Sequence, residues 1–192
     1  LKVTGIIDTY ENGLDFIEHY YDKPNLIVFL GSSFGNFNED DGNNFLRRIH
    51  NLMKSSDYFL LGLDLKKDNT ILTNAYNDSE GLTEKFNLNI LERINNELDA
   101  DFQTSQFTHQ ASYNESKGRI EMHLRSLSDQ TVTIPKAGIS IQLSENELIH
   151  TENSHKFTMS QIDSMFEEVG LDIVQIWFDT KKYFGLILAK KF

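Results

Sequence analysis

The first third of the chain alternates between short apolar runs and segments whose apolar residues recur at helical spacing. The runs 3–7, 26–30 and 58–65 predict strands, and the last two are so apolar that we expect both of their faces to be buried. Residues 11–21 predict a helix, and Asn38 is placed to cap a second helix that follows it. Strands that alternate with helices predict right-handed crossovers and a parallel sheet.

After residue 65 the pattern changes. Residues 83–98 predict one long helix, with an apolar stripe that includes Phe86. The segment 119–125 alternates apolar and charged side chains, as a half-exposed antiparallel strand does. Two further strands are predicted at 131–134 and 139–143, as a continuation of the same meander.

The last part of the chain predicts a helix followed by a hairpin. Thr158 and Gln161 have the spacing of a capping box and predict the start of the helix, while Gly170 predicts its end. The apolar segments 171–178 and 183–189 are separated by a polar turn and predict two antiparallel strands. The chain is therefore expected to have an α/β fold with an inserted α+β part.

Composition and charge narrow the class of protein. The 192 residues include 18 basic and 29 acidic side chains, and the basic ones are scattered, so neither nucleic acid nor a membrane surface is expected as a partner. The absence of cysteine excludes disulfides and cysteine-ligated zinc, and no apolar run reaches the roughly 20 residues that cross a bilayer. The six histidines lack metal-ligand spacing, so no metal site is expected. We expect a cytoplasmic protein.

Several short motifs, in order along the chain, carry a resemblance to a known family. They are FLGSSFGNF (29–37), NAYND (74–78), Thr83-x-x-Phe86-Asn87, Asn95-x-Glu97-Leu98-x-Ala100-x-Phe102, IEMHLRS (120–126), Thr151-Glu152-x-Ser154-x-Lys156-Phe157 and YFGL (183–186). These motifs resemble those of the histidine-specific N-alpha-methyltransferases of the ergothioneine pathway, and the likeness covers nearly the whole chain. The resemblance implies a cofactor, S-adenosyl-L-methionine.

The resemblance also implies how the chain is organised. Residues 1–65 would be the back half of a class I (Rossmann-like) methyltransferase core, lacking its first cofactor-binding strands. Residues 66–156 would be an inserted α+β substrate-binding domain, and residues 157–192 the final helix and hairpin of the core. The chain starts at Leu1 without a leader, so we expect a piece of a longer protein. In the family, a glycine-rich turn and a ribose-binding acid come earlier, so we expect an incomplete cofactor site and little activity of this chain alone.

For the cofactor, the resemblance assigns Thr9, Tyr10 and Gly31. Relatives have Gly-Asp-Phe where this chain has Asp8-Thr9-Tyr10, so the acid is displaced by one residue and Thr9 occupies its place. The acid and the ring flank the adenine in those relatives. A strand that ends in a polar turn accounts for the same residues without a ligand.

For the substrate, the resemblance assigns Asn36 and Tyr76 to the main-chain groups of histidine, and Met122, Glu152 and Ser154 to its imidazole. Asn36 follows a central strand, where open α/β sheets bind ligands, and its amide both donates and accepts. Side chains two apart in an extended segment point the same way, so a carboxylate and a hydroxyl can meet one imidazole edge, worth about 1.5–3 kcal/mol. A turn asparagine, a surface tyrosine and a core methionine are the structural alternatives.

The implied reaction is methylation of the histidine α-amine up to the trimethylated product, hercynine. Such an in-line displacement needs no metal and no covalent intermediate, and positioning supplies most of the acceleration. The residues do not identify the proton acceptor, which could be Asn36, Tyr76 or water. Two alternatives stay open: a methyltransferase for another amino acid or an indole amine, against which Glu152 argues, and a noncatalytic amino-acid-binding module.

Overall fold

The computed structural model describes residues 3–20 and 23–192, and the chain divides into two compact units. The core unit is Leu1–Lys66 with Phe157–Phe192, and the inserted unit is Lys67–Lys156. Among the described residues, no helix is both long and apolar enough to cross a bilayer.

The helices and strands follow one another along the chain in a mixed order. They are α1 (Tyr10–Tyr20), β1 (Leu26–Phe29), α2 (Glu39–Leu52), β2 (Tyr58–Asp64), α3 (Asn69–Tyr76), α4 (Leu82–Leu98), β3 (Phe107–Asn114), β4 (Arg119–Ser126), β5 (Gln130–Ile134), β6 (Ile139–Leu143), β7 (Leu148–His155), α5 (Met159–Glu168), β8 (Leu171–Phe178) and β9 (Phe184–Lys191).

The core unit is built on a sheet in the order β1-β2-β9-β8. Strands β1 and β2 are parallel, whereas β9 runs antiparallel to both β2 and β8, which confirms the predicted parallel pair and the final hairpin. The most deeply buried side chains come from β2, α2, α5 and β9: Phe59, Leu61, Leu63, Leu46, Ile49, Ile162, Phe166, Ile187 and Ala189. The helices thus bury their apolar stripes against the sheet.

Local capping signals confirm the predicted starts of two helices. Asn38 accepts a hydrogen bond from the Asp41 amide at 2.8 Å and so begins α2. Thr158 and Gln161 form the predicted capping box at the start of α5. Gly170, with φ of +75°, follows α5 where a left-handed residue was expected.

Two predictions for the beginning of the chain are wrong. Residues 3–7 form no strand, because this segment has no ladder partner among the described residues, and Val3 and Ile7 are exposed. Strand β1 is not buried on both faces: Ile27 is 9% exposed, but Val28 is 47% exposed. An apolar run specifies an extended segment, but tertiary packing decides how many of its faces are covered.

The inserted unit contains an antiparallel sheet in the order β3-β4-β7. Strand β4 alternates as predicted, since Ile120, Met122 and Leu124 are buried between half-exposed neighbours. The predicted continuation of the meander is wrong, because β5 and β6 pair with each other as a separate two-stranded sheet. Their apolar side chains still pack into the cluster that includes Leu91, Phe107 and Leu124.

Helix α4 forms as predicted, and the middle of its predicted apolar stripe is buried, but Phe86 is not part of the buried face. Phe86 is 62% exposed, whereas its neighbour Asn87 is fully buried beside Leu91. The amide of Asn87 finds hydrogen-bond partners in β3 and β4, so a polar residue occupies the centre of the buried face. Helix α3 was not predicted.

Candidate functional site

Four of the residues assigned to the substrate cluster on one face of the β3-β4-β7 sheet. Met122 of β4 lies directly opposite Glu152 of β7, and two positions further along Ser154 lies opposite Ile120. Tyr76 is the last residue of α3, and its hydroxyl donates to Ser154 Oγ at 2.7 Å. The structure therefore brings Tyr76, Met122, Glu152 and Ser154 together, in the inserted unit.

Tyr76 owes its place to hydrogen bonds at both ends of α3. Asp68 begins the helix by accepting from the amides of Thr70 and Ile71. At the other end, the Asn77 side chain pairs with both backbone groups of Ala111 in β3, at 3.0 and 3.2 Å. Asp68 is thus the sequence signal that could have revealed this helix.

A chain of hydrogen bonds also holds the backbone of Tyr76. The Asn87 amide nitrogen donates to His109 Nδ1 at 2.9 Å and to the His123 carbonyl at 3.0 Å. Because Nδ1 accepts, Nε2 carries the ring hydrogen of His109, and it donates to the Tyr76 carbonyl at 2.8 Å. The buried amide therefore sets the tautomer of the histidine that holds Tyr76.

A β-bulge lies beside Glu152. The β4–β7 register shifts between Met122 and His123, so that Thr151 is the extra residue of β7. The Thr151 hydroxyl donates to the Met122 carbonyl at 3.0 Å and fixes the bulge. Bulges bend a strand and redirect its side chains, and this one adjoins the carboxylate of the cluster.

The sequence prediction missed Lys156, the most unusual side chain of the cluster. It is 2% exposed, and its ammonium donates to Ser154 Oγ at 2.8 Å and to the Tyr76 hydroxyl at 2.9 Å. The same nitrogen lies 4.8 Å from the centroid of the Tyr76 ring, within the range of a cation–π contact. A lysine that continues the spacing of Glu152 and Ser154 was the available signal.

The cluster carries charges of both signs in a partly desolvated place. Burial raises the pKa of Glu152 above its ordinary value, and the positive charge of Lys156 partly opposes this rise. Burial and, to a lesser extent, the negative charge of Glu115 raise the pKa of Tyr113 in β3, and the positive charge of Lys156 lowers it. The ammonium is therefore electrostatically coupled to both acidic groups. Met122 is 2% exposed and belongs to the apolar cluster that includes Leu72 of α3, as expected of a core methionine.

Asn36 belongs to the core unit, whereas the other four residues belong to the inserted unit. It ends a short 3-10 helix, Ser33–Asn36, that follows β1, and its side chain is exposed. Gly31 and Ser32 before it are both left-handed, with φ of +81° and +61°. Ser32 Oγ accepts from the Asp64 amide at 3.1 Å, so the loop is attached to the carboxyl end of β2.

Thr9 and Tyr10 line a cavity of about 590 Å³ beside β1. Its wall is mainly apolar, and the Tyr10 ring meets the Phe29 ring edge-on at 5.2 Å. Asp8 accepts from Asn12 Nδ2 and from the Thr9 amide, which holds the pKa of this carboxyl below its usual range and shapes the start of α1. Gly31 lies outside the described lining of this cavity.

No group of three or more histidine, aspartate or glutamate side chains converges as a metal site within residues 3–20 and 23–192.

Comparisons with known proteins give a matching family and several relatives. The family described as histidine-specific methyltransferase, SAM-dependent, matches residues 1–191. Histidine N-alpha-methyltransferase from Mycobacterium tuberculosis is 38% identical, over 92% of this chain and 56% of that protein. The enzyme of the same name from Mycolicibacterium smegmatis is 37% identical, over 91% of this chain and 56% of that protein. L-tryptophan methyltransferase from Psilocybe serbica is 27% identical, over 97% of this chain and 54% of that protein. The chain spans about half the length of these relatives.

Proposed function

Because the chain belongs to the family of histidine-specific, SAM-dependent methyltransferases, we propose that its protein methylates the α-amine of L-histidine towards trimethylhistidine. The observation that carries the proposal is the cluster on the inserted sheet, where a carboxylate and a hydroxyl lie beside a buried methionine. The relatives named as histidine methyltransferases support the same substrate.

In this proposal the inserted unit holds the imidazole. Glu152 accepts a hydrogen bond from a ring N–H, Ser154 meets the other side of the ring, and Met122 contacts the ring face through its polarisable thioether. Asn36 and Tyr76 would hold the carboxylate and the amine, as the family resemblance implies. Neither of these two roles is tested by the geometry of the units, so both stay predictions.

The cavity in the core unit fits part of the cofactor. Its volume of about 590 Å³ lies within the roughly 300–1,000 Å³ that is usual for small-molecule sites, and its apolar wall with Tyr10 suits an adenine ring. Thr9 and Tyr10 would lie beside the adenine, and Gly31 would border the cofactor through its backbone. When bound, S-adenosyl-L-methionine supplies a methyl group on a sulfonium.

The contribution of the chain's own residues is to position the amine. Aligning the amine nitrogen with the methyl carbon replaces a bimolecular encounter, which accounts for most of the acceleration in such reactions. The amine must lose a proton before attack, and we assign no residue to that step. The expectation that this chain holds only part of the cofactor site also stays a prediction. Titration of this chain and of the full-length protein with S-adenosylhomocysteine tests it, and equal affinities would contradict it.

A methyl-transfer assay on the full-length protein tests the proposed function. We would supply S-adenosyl-L-methionine with an isotope-labelled methyl group, together with L-histidine or L-tryptophan, and identify mono-, di- and trimethylated products by mass spectrometry. Labelled histidine supports the proposal. Transfer to tryptophan alone would favour the activity named for the Psilocybe relative. Histidine binding without any transfer would favour a noncatalytic binding module.

A further inference from the structure

The hydrogen bonds around Ser154 determine what its hydroxyl can offer to a ligand. A lysine ammonium can only donate, so Ser154 Oγ accepts from Lys156 at 2.8 Å. The Tyr76 hydroxyl accepts from the same ammonium at 2.9 Å and donates to Ser154 Oγ at 2.7 Å. Both acceptor positions of the Ser154 oxygen are then occupied. Only the hydroxyl hydrogen of Ser154 remains available, so Ser154 can act only as a hydrogen-bond donor to a ligand.

The charges of the cluster remove the advantage that a cationic ligand would have beside a carboxylate. The ammonium of Lys156 is buried, and the carboxylate of Glu152 is half-buried, so a ligand between them meets one charge of each sign. A cationic ligand there is attracted by Glu152 and repelled by Lys156, so the two charges offset each other and leave it little net attraction. A neutral ring avoids this repulsion.

The groups that face Lys156 come from three elements. They are Tyr76 on α3, Tyr113 on β3 and Glu152 on β7. His155 lies on the alternate face of β7, opposite Arg119, and Lys156 contributes to lowering its pKa behind the larger effects of burial and Arg119. Strand β4 presents the apolar Ile120 and Met122 to this face, whereas its Arg119 and Glu121, on the alternate face, pair with each other. Glu152 is the one carboxylate among these named groups, and burial raises its pKa against the opposing charge of Lys156.

We propose that Lys156 makes this site select the neutral form of the histidine imidazole, with Glu152 accepting from the ring N–H and Ser154 donating to the bare ring nitrogen. The inference rests on the proposed function. Lys156 acts through Ser154, Tyr76 and its charge, so it is a positioning residue. An imidazolium would present hydrogens on both nitrogens, and one of them would then face the Ser154 hydrogen.

The experiment compares two ligands over a range of pH. We would measure the Kd of the full-length protein for L-histidine and for 1,2,4-triazolylalanine by calorimetry between pH 8.0 and 5.5. The triazole, linked to the alanine through carbon 3, keeps one ring N–H and two bare nitrogens and stays neutral throughout, whereas the imidazole protonates near pH 6.5. Protonation of Glu152 affects both ligands, so the ratio of the two Kd values isolates the charge of the imidazole. We expect that ratio to rise about tenfold in favour of the triazole at pH 5.5, from a pKa near 6.5.

Lys156→Met keeps a side chain of similar shape and removes the charge and the donor. The Ser154 hydroxyl can then also accept, and Glu152 keeps an uncompensated negative charge that favours the imidazolium. The ratio is therefore expected to stay within about threefold across the pH range, or to reverse. The matched control is Lys85→Met on the exposed surface of α4, which should keep the wild-type profile.

Three results would overturn the inference. In the wild type, a ratio that does not change with pH would show that the site accepts imidazolium equally well. In Lys156→Met, the full wild-type rise would show that Lys156 does not set the selection. If that variant does not fold, Ser154→Ala replaces it, and a wild-type rise there would show that the serine donor is not used. If the wild type binds no histidine at any pH, the proposed function fails as well. If it binds histidine but with a ratio that does not depend on pH, only the inference about Lys156 fails.

Discussion

Replacing Asn87 with alanine is expected to destabilise the inserted unit and to loosen Tyr76. The Asn87 side chain is fully buried, and its nitrogen donates to His109 Nδ1 and to the His123 carbonyl. His109 in turn donates to the Tyr76 carbonyl. The substitution therefore removes two hydrogen bonds and leaves the His109 ring without the donor that sets its tautomer.

The magnitude follows from this arrangement. Each lost hydrogen bond is worth about 1 kcal/mol, and leaving His109 Nδ1 unpaired in a partly buried place costs about 1–3 kcal/mol more. Part of the cost is recovered, since Asn87 Oδ1 is itself buried without a partner in the described part of the chain, and because alanine is the better helix former. We expect a net loss of about 1–3 kcal/mol. For a unit of the size of Lys67–Lys156, that lowers Tm by about 4–24 °C.

Thermal and urea unfolding of the full-length protein measure this loss, with Asn96→Ala as the control. Asn96 lies on the same helix with an exposed side chain, so its substitution brings the same gain in helix propensity without the lost contacts. We also expect Asn87→Ala to raise the KM for histidine, because Tyr76 is less firmly held. A loss of stability below about 0.5 kcal/mol, or equal effects of the two substitutions, would refute the reasoning.

Three further predictions concern packing, pH and the substrate. Gly62→Ala should lower the free energy of unfolding by about 1–3 kcal/mol, because a Cβ would lie 2.8 Å from a ring carbon of the first residue of β9. Gly13→Ala should raise it by about 0.5–1 kcal/mol, because a Cβ there meets open space, and urea unfolding measures both changes. Burial lowers the pKa of His123 and His155, so the unfolded state binds more protons below about pH 6.5. The free energy of unfolding should therefore fall from pH 7.5 to 5.5, and less steeply in the double variant His123→Gln/His155→Gln. Asn36→Ala should raise the KM for histidine and change stability by less than about 0.5 kcal/mol, because its side chain is exposed.

Each of these has a result that would contradict it. Equal stabilities of the two glycine variants would show that β9 moves away without cost. An unchanged pH slope in the double variant His123→Gln/His155→Gln would place the titrating groups elsewhere. A loss of Tm in Asn36→Ala with an unchanged KM would make this side chain a turn residue and nothing more.

Local sequence determined the elements whose stabilising contacts are close along the chain. Asn38 caps α2 through a residue three positions on, and Thr158 and Gln161 do the same for α5. The alternation of β4 was equally readable, because a strand that is covered on one face places every second side chain in the core. Such signals need no knowledge of what packs on the element.

Tertiary contacts decided the rest. The sequence places Phe86 and Asn87 side by side, and only β3 and β4 show that the asparagine is the buried one, because they supply its hydrogen-bond partners. Likewise the family resemblance picked out Tyr76 and Ser154 but assigned no role to Lys156. Its partner Tyr76 lies 80 positions away, and α3 and β7 must be brought together before the ammonium has acceptors that compensate its burial. A buried charge is stable only where the fold has assembled its partners, and residues so distant along the chain leave no periodic pattern from which that assembly can be read.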